Sequence, residues 1–401
     1  MTNRFFLAGL TALSSVLAIN QATAQKYGAV GPISYAVPFL TIAPDARAGA
    51  MGDVGIATSP DANSQHWNVA KLAMAEETGG VSVTYSPWLK DIVPDVFVGY
   101  ISGFKKFGQD ENQAVSASIR YFDLGEIGYK NINGDDAGIG KPYELAVDLG
   151  YSRKLSEYLS TGVALRLINS NIAAGASTQD AGSYNAATTV AADLGVYYVK
   201  PMEIDDEHKN VLALGAVLRN IGGKVSYSQV RKDYLPAQLG IGGAYTYQID
   251  NYSKITGAID FNKLLVPAAK LEVNANGDSS YVAPTMGVVS GIFNSFGKAP
   301  GMYGTTVSVG AEYWYQDQFA ARAGYFYEAE DLGNRKYFSL GLGVKYSVFG
   351  LNFSYLVPTG SNLARNPLSN TMRFSLLFNF DKKAAASKST TTSNSTTGTR
   401  A

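Results

Sequence analysis

The chain has 401 residues, with 33 basic and 33 acidic side chains, a formal net charge of zero and no cysteine. That balance lacks the basic footprint of a nucleic-acid binder, and the missing cysteine excludes disulfides, thiol catalysis, Cys-ligated metal and a lipidated cysteine anchor. Only 16% of residues are charged while 42 are glycine, a composition foreign to a soluble enzyme of this length.

Residues 1–24 carry a basic start at Arg4, an apolar run over 5–19 and the small-residue site Ala22-Thr23-Ala24, the three parts of a secretory signal. The run falls short of the ~20 residues of a helical span and contains Thr11, Ser14 and Ser15. Cleavage leaves Gln25 first, and because no later run is longer, membrane insertion has to be by strands.

Residues 44–72 differ from everything after them. Ala46, Ala48, Gly49, Ala50, Gly52 and Gly55 leave little side-chain bulk, as a segment threaded through a confined space requires. Ser59 followed by Pro60 reads as a cap and first helical residue, which predicts a helix over 60–72. The segment 25–78 is therefore expected to be an N-terminal extension and plug inside a β-barrel.

Beyond Gly79 the chain falls into fourteen alternating segments divided by turn residues: 80–86, 96–104, 113–124, 143–154, 159–169, 186–199, 210–220, 236–248, 254–262, 302–315, 319–328, 336–347, 350–357 and 371–380. The even number suits a closed antiparallel transmembrane barrel over 79–380 with both ends in the periplasm. Links after odd strands are long (125–142, 170–185, 221–235, 263–301, 358–370), and those after even strands are mostly short (155–158, 249–253, 316–318, 348–349). That asymmetry is the mark of external loops and periplasmic turns, with 87–95, 329–335 and 200–209 as exceptions.

Apolar side chains take one face of each strand. Tyr143, Leu145, Val147, Leu149 and Tyr151 oppose Glu144 and Asp148, and Phe374, Leu376, Phe378 and Phe380 oppose Arg373, Ser375 and Asn379. Tyr143 and Tyr151 lie roughly 20 Å apart along a tilted strand, near the ~25 Å apolar band of an outer membrane with its aromatic girdles. Residues 381–401 hold no aromatic residue and are expected to form a disordered periplasmic tail.

Catalytic chemistry finds little support. His66 and His208 are the only imidazoles. No element holds a pair of His ligands, and a buried hydrogen-bonding His66 beside Trp67 outweighs a catalytic base. Gly297-Lys298 lacks the spacing of a phosphate-binding loop, and no Gly-x-Ser-x-Gly occurs. Asn131-Ile-Asn133-Gly134-Asp135-Asp136 and Asn274-Ala-Asn276-Gly277-Asp278 resemble Ca²⁺ loops only in their oxygen side chains, and Asn-Gly is first a turn signal. No catalytic residue, metal or cofactor is expected. Arg120, Glu144, Asp148, Arg166, Asp193, Arg219, Asp260, Glu312, Arg322, Lys345 and Arg373 fall on the lumen faces. Their mixed signs suit a network pairing with Asp45, Arg47 and Asp53 of the plug rather than an open charge-selective pore.

The run from Asp45 through Arg47, Gly49, Gly52, Asp53, Asp61, Asn63, His66 and Trp67 to Asn68 resembles the N-terminal signature of the PorV family, outer-membrane proteins of the type IX secretion system of the Bacteroidetes, within the wider FadL-like class of plugged barrels. One departure is Asn68-Val69-Ala70 where members usually carry Asn-Pro-Ala, and Val69 is expected to loosen that turn. The resemblance implies a non-enzymatic barrel in the outer-membrane lipid that binds C-terminal signal domains of secreted cargo, accepts them from the outer-membrane translocon and hands them to a surface sortase. The apolar points Leu264, Leu265, Val288, Val289, Ile292, Phe293 and Phe296 in the longest external loop are the candidate cargo-binding residues. A transporter of small hydrophobic molecules remains the alternative, and an outer-membrane acyl hydrolase is disfavoured by the histidine count.

Overall fold

A computed structural model describes residues 31–88, 95–130, 133–172, 174, 185–203, 209–227, 232–273, 279–296, 303–329, 332–359 and 371–380. The expected signal peptide (1–24), the tail (381–401), Tyr184, His208, Gly297-Lys298 and the Asn274–278 turn lie outside the described residues.

Fourteen strands close into one antiparallel barrel. In chain order they are β1 (Gly79–Pro87), β2 (Phe97–Phe107), β3 (Gln113–Asp123), β6 (Tyr143–Lys154), β7 (Leu159–Asn171), β8 (Ala187–Glu203), β9 (Lys209–Gly222), β10 (Gln238–Gln248), β11 (Ser253–Leu264), β14 (Thr305–Tyr315), β15 (Phe319–Glu328), β16 (Lys336–Tyr346), β17 (Phe349–Pro358) and β18 (Met372–Phe380). Closure comes from β1 pairing with β2 on one edge and β18 on the other, Gly79 facing Lys105 and Phe380. Each of the fourteen strands then has a hydrogen-bonded neighbour on both edges, as the hydrocarbon layer demands.

Two hairpins were not foreseen: β4 (Ile127–Lys130) with β5 (Asp136–Gly140), and β12 (Lys270–Val273) with β13 (Ser279–Val282). The first straddles Asn133-Gly134, where Gly134 takes φ +86°, so that sequence acts as a turn. The long link 200–209 also resolves. β8 runs on to Glu203 and β9 starts at Lys209, because Lys200, Pro201 and Met202 continue the ladder opposite Leu212, Val211 and Asn210.

Exposure alternates as the sequence demands. Val163, Leu165 and Leu167 on β7, and Phe338, Leu340, Leu342, Val344 and Tyr346 on β16, face outward. Rings of neighbouring strands meet at both rims: Tyr85, Phe97, Tyr121 and Tyr143 run in sequence at 5.5, 6.1 and 5.9 Å at the long-loop end, and Phe349 lies 5.2 Å from Phe378 at the other.

The plug does not hold the single helix expected over 60–72. A five-residue helix, α1 (Ala46–Ala50), forms in the small-residue half. The second half breaks into α2 (Ser64–Trp67) and a 3-10 turn, Val69–Met74. The break falls at Asn68, which is extended (φ −164°) so that its side chain can cap Ala70 N–H. Ser59 caps nothing; its hydroxyl accepts from Arg47 at 2.6 Å. Val69 takes the first 3-10 position and is buried, so the turn forms without proline.

Candidate functional site

Asp45 organises the plug. Its extended backbone precedes α1, one carboxylate oxygen accepts from Ala48 N–H at 2.9 Å and the other from Trp67 Nε1 at 2.7 Å. One buried side chain therefore caps α1 and ties it to α2, and burial together with nearby Asp61 raises its pKa. α1 lies against β16, β17 and β18, with Ala46 N–H donating to Ser375 Oγ at 2.9 Å.

The glycines mark close approaches. A Cβ on Gly49 would lie 2.5 Å from the Arg373 guanidinium, and one on Gly52 would lie 2.6 Å from the Tyr325 backbone. Gly52 has φ +69°, a conformation that favours glycine, and its N–H donates to Ser339 Oγ at 2.8 Å. Next to it Asp53 accepts from Tyr337 Oη at 2.5 Å and faces Arg373 at 3.8 Å. Gly55 and Ile56 N–H both donate to Asp260, at 2.7 and 2.9 Å.

Arg47 bridges plug and wall. It grips Glu312 of β14 with two bonds (2.9 and 2.7 Å) and Asp61 with a third (3.0 Å), while Glu312 also accepts from Arg322 of β15 at 2.6 Å. Asp61 in turn accepts from Asn63 N–H at 2.8 Å, and Asn63 Oδ1 accepts from Ser102 of β2. On the opposite wall Arg166 pairs with Asp148 and Asp193 at 2.6 and 2.9 Å. Of the lumen charges read from the sequence, Lys345 alone is half-exposed, sitting at the rim beside Glu77.

His66 is buried against the Arg120 guanidinium, which also reaches the carbonyls of Phe39 and Leu40. Burial and the positive charges of Arg120, Arg219 and Arg166 push its pKa well below the ordinary imidazole value. It stays neutral and holds the wall. Trp67 stands edge-on to it and beneath Arg219. Asn68 donates to Ile56 O and Val196 O, spanning plug and β8. Buried Lys71 donates to Gly55 O and Thr58 Oγ1 at 2.8 and 3.1 Å, and burial pushes its pKa down to about 8.

The sequence reading missed what precedes the plug. Gly31 N–H bonds Ala269 O and Ala36 N–H bonds Tyr234 O, both on long links. The chain thus enters the lumen from the loop end and leaves at the turn end, where Lys106 binds Ala75 O at 2.6 Å. On the way Val37, Phe39, Leu40 and Ile42 fill an apolar chamber walled by Val98, Phe122, Ile168, Leu235, Phe326 and Leu356. The apolar run Val37-Pro38-Phe39-Leu40 before a small-residue stretch was the signal available.

The loop residues divide. Leu264 ends β11 and is buried with Leu265; Leu264 packs with Tyr234 and Val266, and Val288 packs on the same cluster. Val288 begins α3 (Val288–Asn294), which Tyr234 pins by donating from Oη to Met286 O at 2.6 Å. Gly291 is buried beneath the helix, and Ile292 is half-buried. Val289, Phe293 and Phe296 point outward, 67, 73 and 54% exposed. Tyr281 and Val282 of the β12–β13 hairpin are exposed as well.

A closed barrel with an apolar belt, aromatic rims and a lumen filled by its own N-terminal segment is a plugged outer-membrane protein. The family model described as Type IX secretion system protein PorV matches residues 24–271, more than half of the chain, and the chain belongs to that family, in the outer membrane. Among solved structures it is similar to the Ralstonia pickettii toluene transporter TbuX (14% identity, TM-score 0.47, 84% of this chain and 98% of that one covered). It is also similar to the Pseudomonas putida toluene transporter TodX (13%, 0.45, 83% and 96%) and to a Pseudomonas aeruginosa FadL homologue (10%, 0.40, 88% and 99%). No curated protein matches the chain.

Proposed function

We propose that the protein is a non-enzymatic cargo carrier of type IX secretion: it captures the C-terminal signal domain of an exported protein at its outer loops, receives it from the translocon and delivers it to a surface sortase. Family membership supports the pathway. The observation that carries the docking site is the apolar stripe of Val289 and Phe293 on α3, continued by Phe296 just past its end, on a segment held to the cluster around Tyr234 through Met286 and Val288. Apolar and aromatic side chains held out in water on a fixed element are anchors of the kind that dominate protein interfaces.

Replacing Val289, Phe293 and Phe296 together by Asp leaves Val288, Gly291 and Met286 to seat the helix. It is expected to abolish co-purification of a folded cargo signal domain from detergent-solubilised membranes. Normal capture by that variant would overturn the docking site. The alternative reading rests on the apolar chamber around Phe39, which a small hydrophobic molecule could enter only by displacing residues 37–40. Phe39→Ala increasing uptake of such a solute, with cargo export unchanged, would favour transport.

A further inference from the structure

At the turn end of the barrel, β11 and β14 lie side by side, so the turn 249–252 and the turn 316–318 stand together around an open-sided cleft of about 420 Å³. That volume falls within the ~300–1,000 Å³ of small-molecule sites. The cleft is preformed. Gln316 N–H donates to Tyr252 O at 2.6 Å, stapling one turn to the other, and Lys345 N–H donates to Gln318 O at 2.7 Å, adding the next hairpin. Asp250 fixes Tyr252 through a 2.7 Å bond to its N–H. Gln316 and Asp317 both hold left-handed backbone (φ +52° and +54°), where most turns of this kind place Asn or Gly.

The lining is unusual for a turn. Four side-chain amides (Gln248, Asn251, Gln316, Gln318) surround one phenol, Tyr252, whose residue is 61% exposed. The one charged pair, Lys254 and Asp317 at 2.5 Å, neutralises itself. A self-paired charge favours neither an anion nor a cation, and a single ring is too little apolar wall for a hydrophobic molecule. Gln248 Nε2 donates to Asp250 O at 2.7 Å, while each of the other three amides offers a donor and an acceptor side by side, which suits neighbouring hydroxyls and N-acetyl groups. A tyrosine face packs on the C–H face of a pyranose ring.

We propose that this cleft binds a neutral pyranose glycan, and specifically an N-acetylated strand such as the cell wall presents to the periplasmic side of the barrel. The pairing of amide side chains with N-acetyl amides separates that ligand from a plain glucan.

The test uses the full chain in a non-sugar detergent, titrated by NMR or calorimetry with the trimer of β-1,4-linked N-acetylglucosamine and with maltotriose. The N-acetylated trimer is expected to bind, Tyr252→Ala to weaken it at least tenfold, Tyr252→Phe to hold it within a few-fold, and Leu155→Ala, on another turn at the same end, to leave it unchanged. The heat shift of each variant on SDS gels checks that the barrel is closed. No binding at about 10 mM trimer, or binding indifferent to Tyr252→Ala in a folded barrel, would overturn the site. Equal affinity for maltotriose would overturn the N-acetyl assignment.

Discussion

Asp45 does two jobs with one carboxylate, and removing it exposes both. Asp45→Ala loses the cap on Ala48 N–H and leaves Trp67 Nε1 buried without an acceptor; together these should cost about 2–4 kcal/mol, read as a lower urea midpoint in micelles. Asp45→Asn keeps an acceptor oxygen and should cost less. Glycines divide by what opposes them: Gly52→Ala meets the Tyr325 backbone at positive φ, whereas Gly49→Ala meets the movable end of Arg373. Gly52→Ala should cost about 1–3 kcal/mol and Gly49→Ala less; the reverse order would mean that Gly52 is not packed against the wall. Lys71, in the plug and outside the spanning strands, has a pKa held at about 8 by burial against 10.5 for the free side chain. The unfolded chain therefore binds more protons between those values, and stability should rise from about pH 8 to 10.5. In Lys71→Met that rise should vanish.

Elements are joined by pairs that cross from plug to wall. Glu312 of β14 holds Arg47 of α1 and Arg322 of β15 at once, so Glu312→Gln leaves buried Arg322 without its carboxylate partner and Arg47 with the Asp61 carboxylate alone. A loss of roughly 3–5 kcal/mol follows from breaking a buried pair on one side, and limited proteolysis should then cut within residues 44–62 while the strands persist. Unchanged protease resistance would show that the plug is held by packing alone. At this scale the sequence reading erred where burial gives no pattern. β12 and β13 are exposed on both faces, so the alternation of Leu271 and Val273 with Lys270 and Glu272 spans only four residues and marks no buried side. The helix expected over 60–72 failed for a different reason: Asn68 bonds Ile56 O and Val196 O, and reaching both takes it out of helical geometry. Three of the seven loop residues singled out, Leu264, Leu265 and Val288, serve the mouth of the barrel. Their apolarity was legible, but whether it faced water or the cluster around Tyr234 was not.

For the whole molecule, closure by the β1–β18 pair predicts that residues 25–380 run as a compact, fast band in unheated SDS and shift on boiling; fractionation as soluble periplasmic protein would end the barrel assignment. Strand number, strand positions and the outward face were determined by the sequence itself, because a ladder between lipid and lumen stamps a period of two on every strand and short turns leave little freedom in pairing. The plug motif was likewise legible, as a crowd of small residues that only a confined segment needs. Tertiary structure alone decided who meets whom inside. Arg47 and Glu312 are 265 residues apart in the chain, and Gly52 and Ser339 are 287 apart. No local pattern encodes such partners, since they come within reach only when the last strand closes on the first and the N-terminal segment is already threaded through the ring.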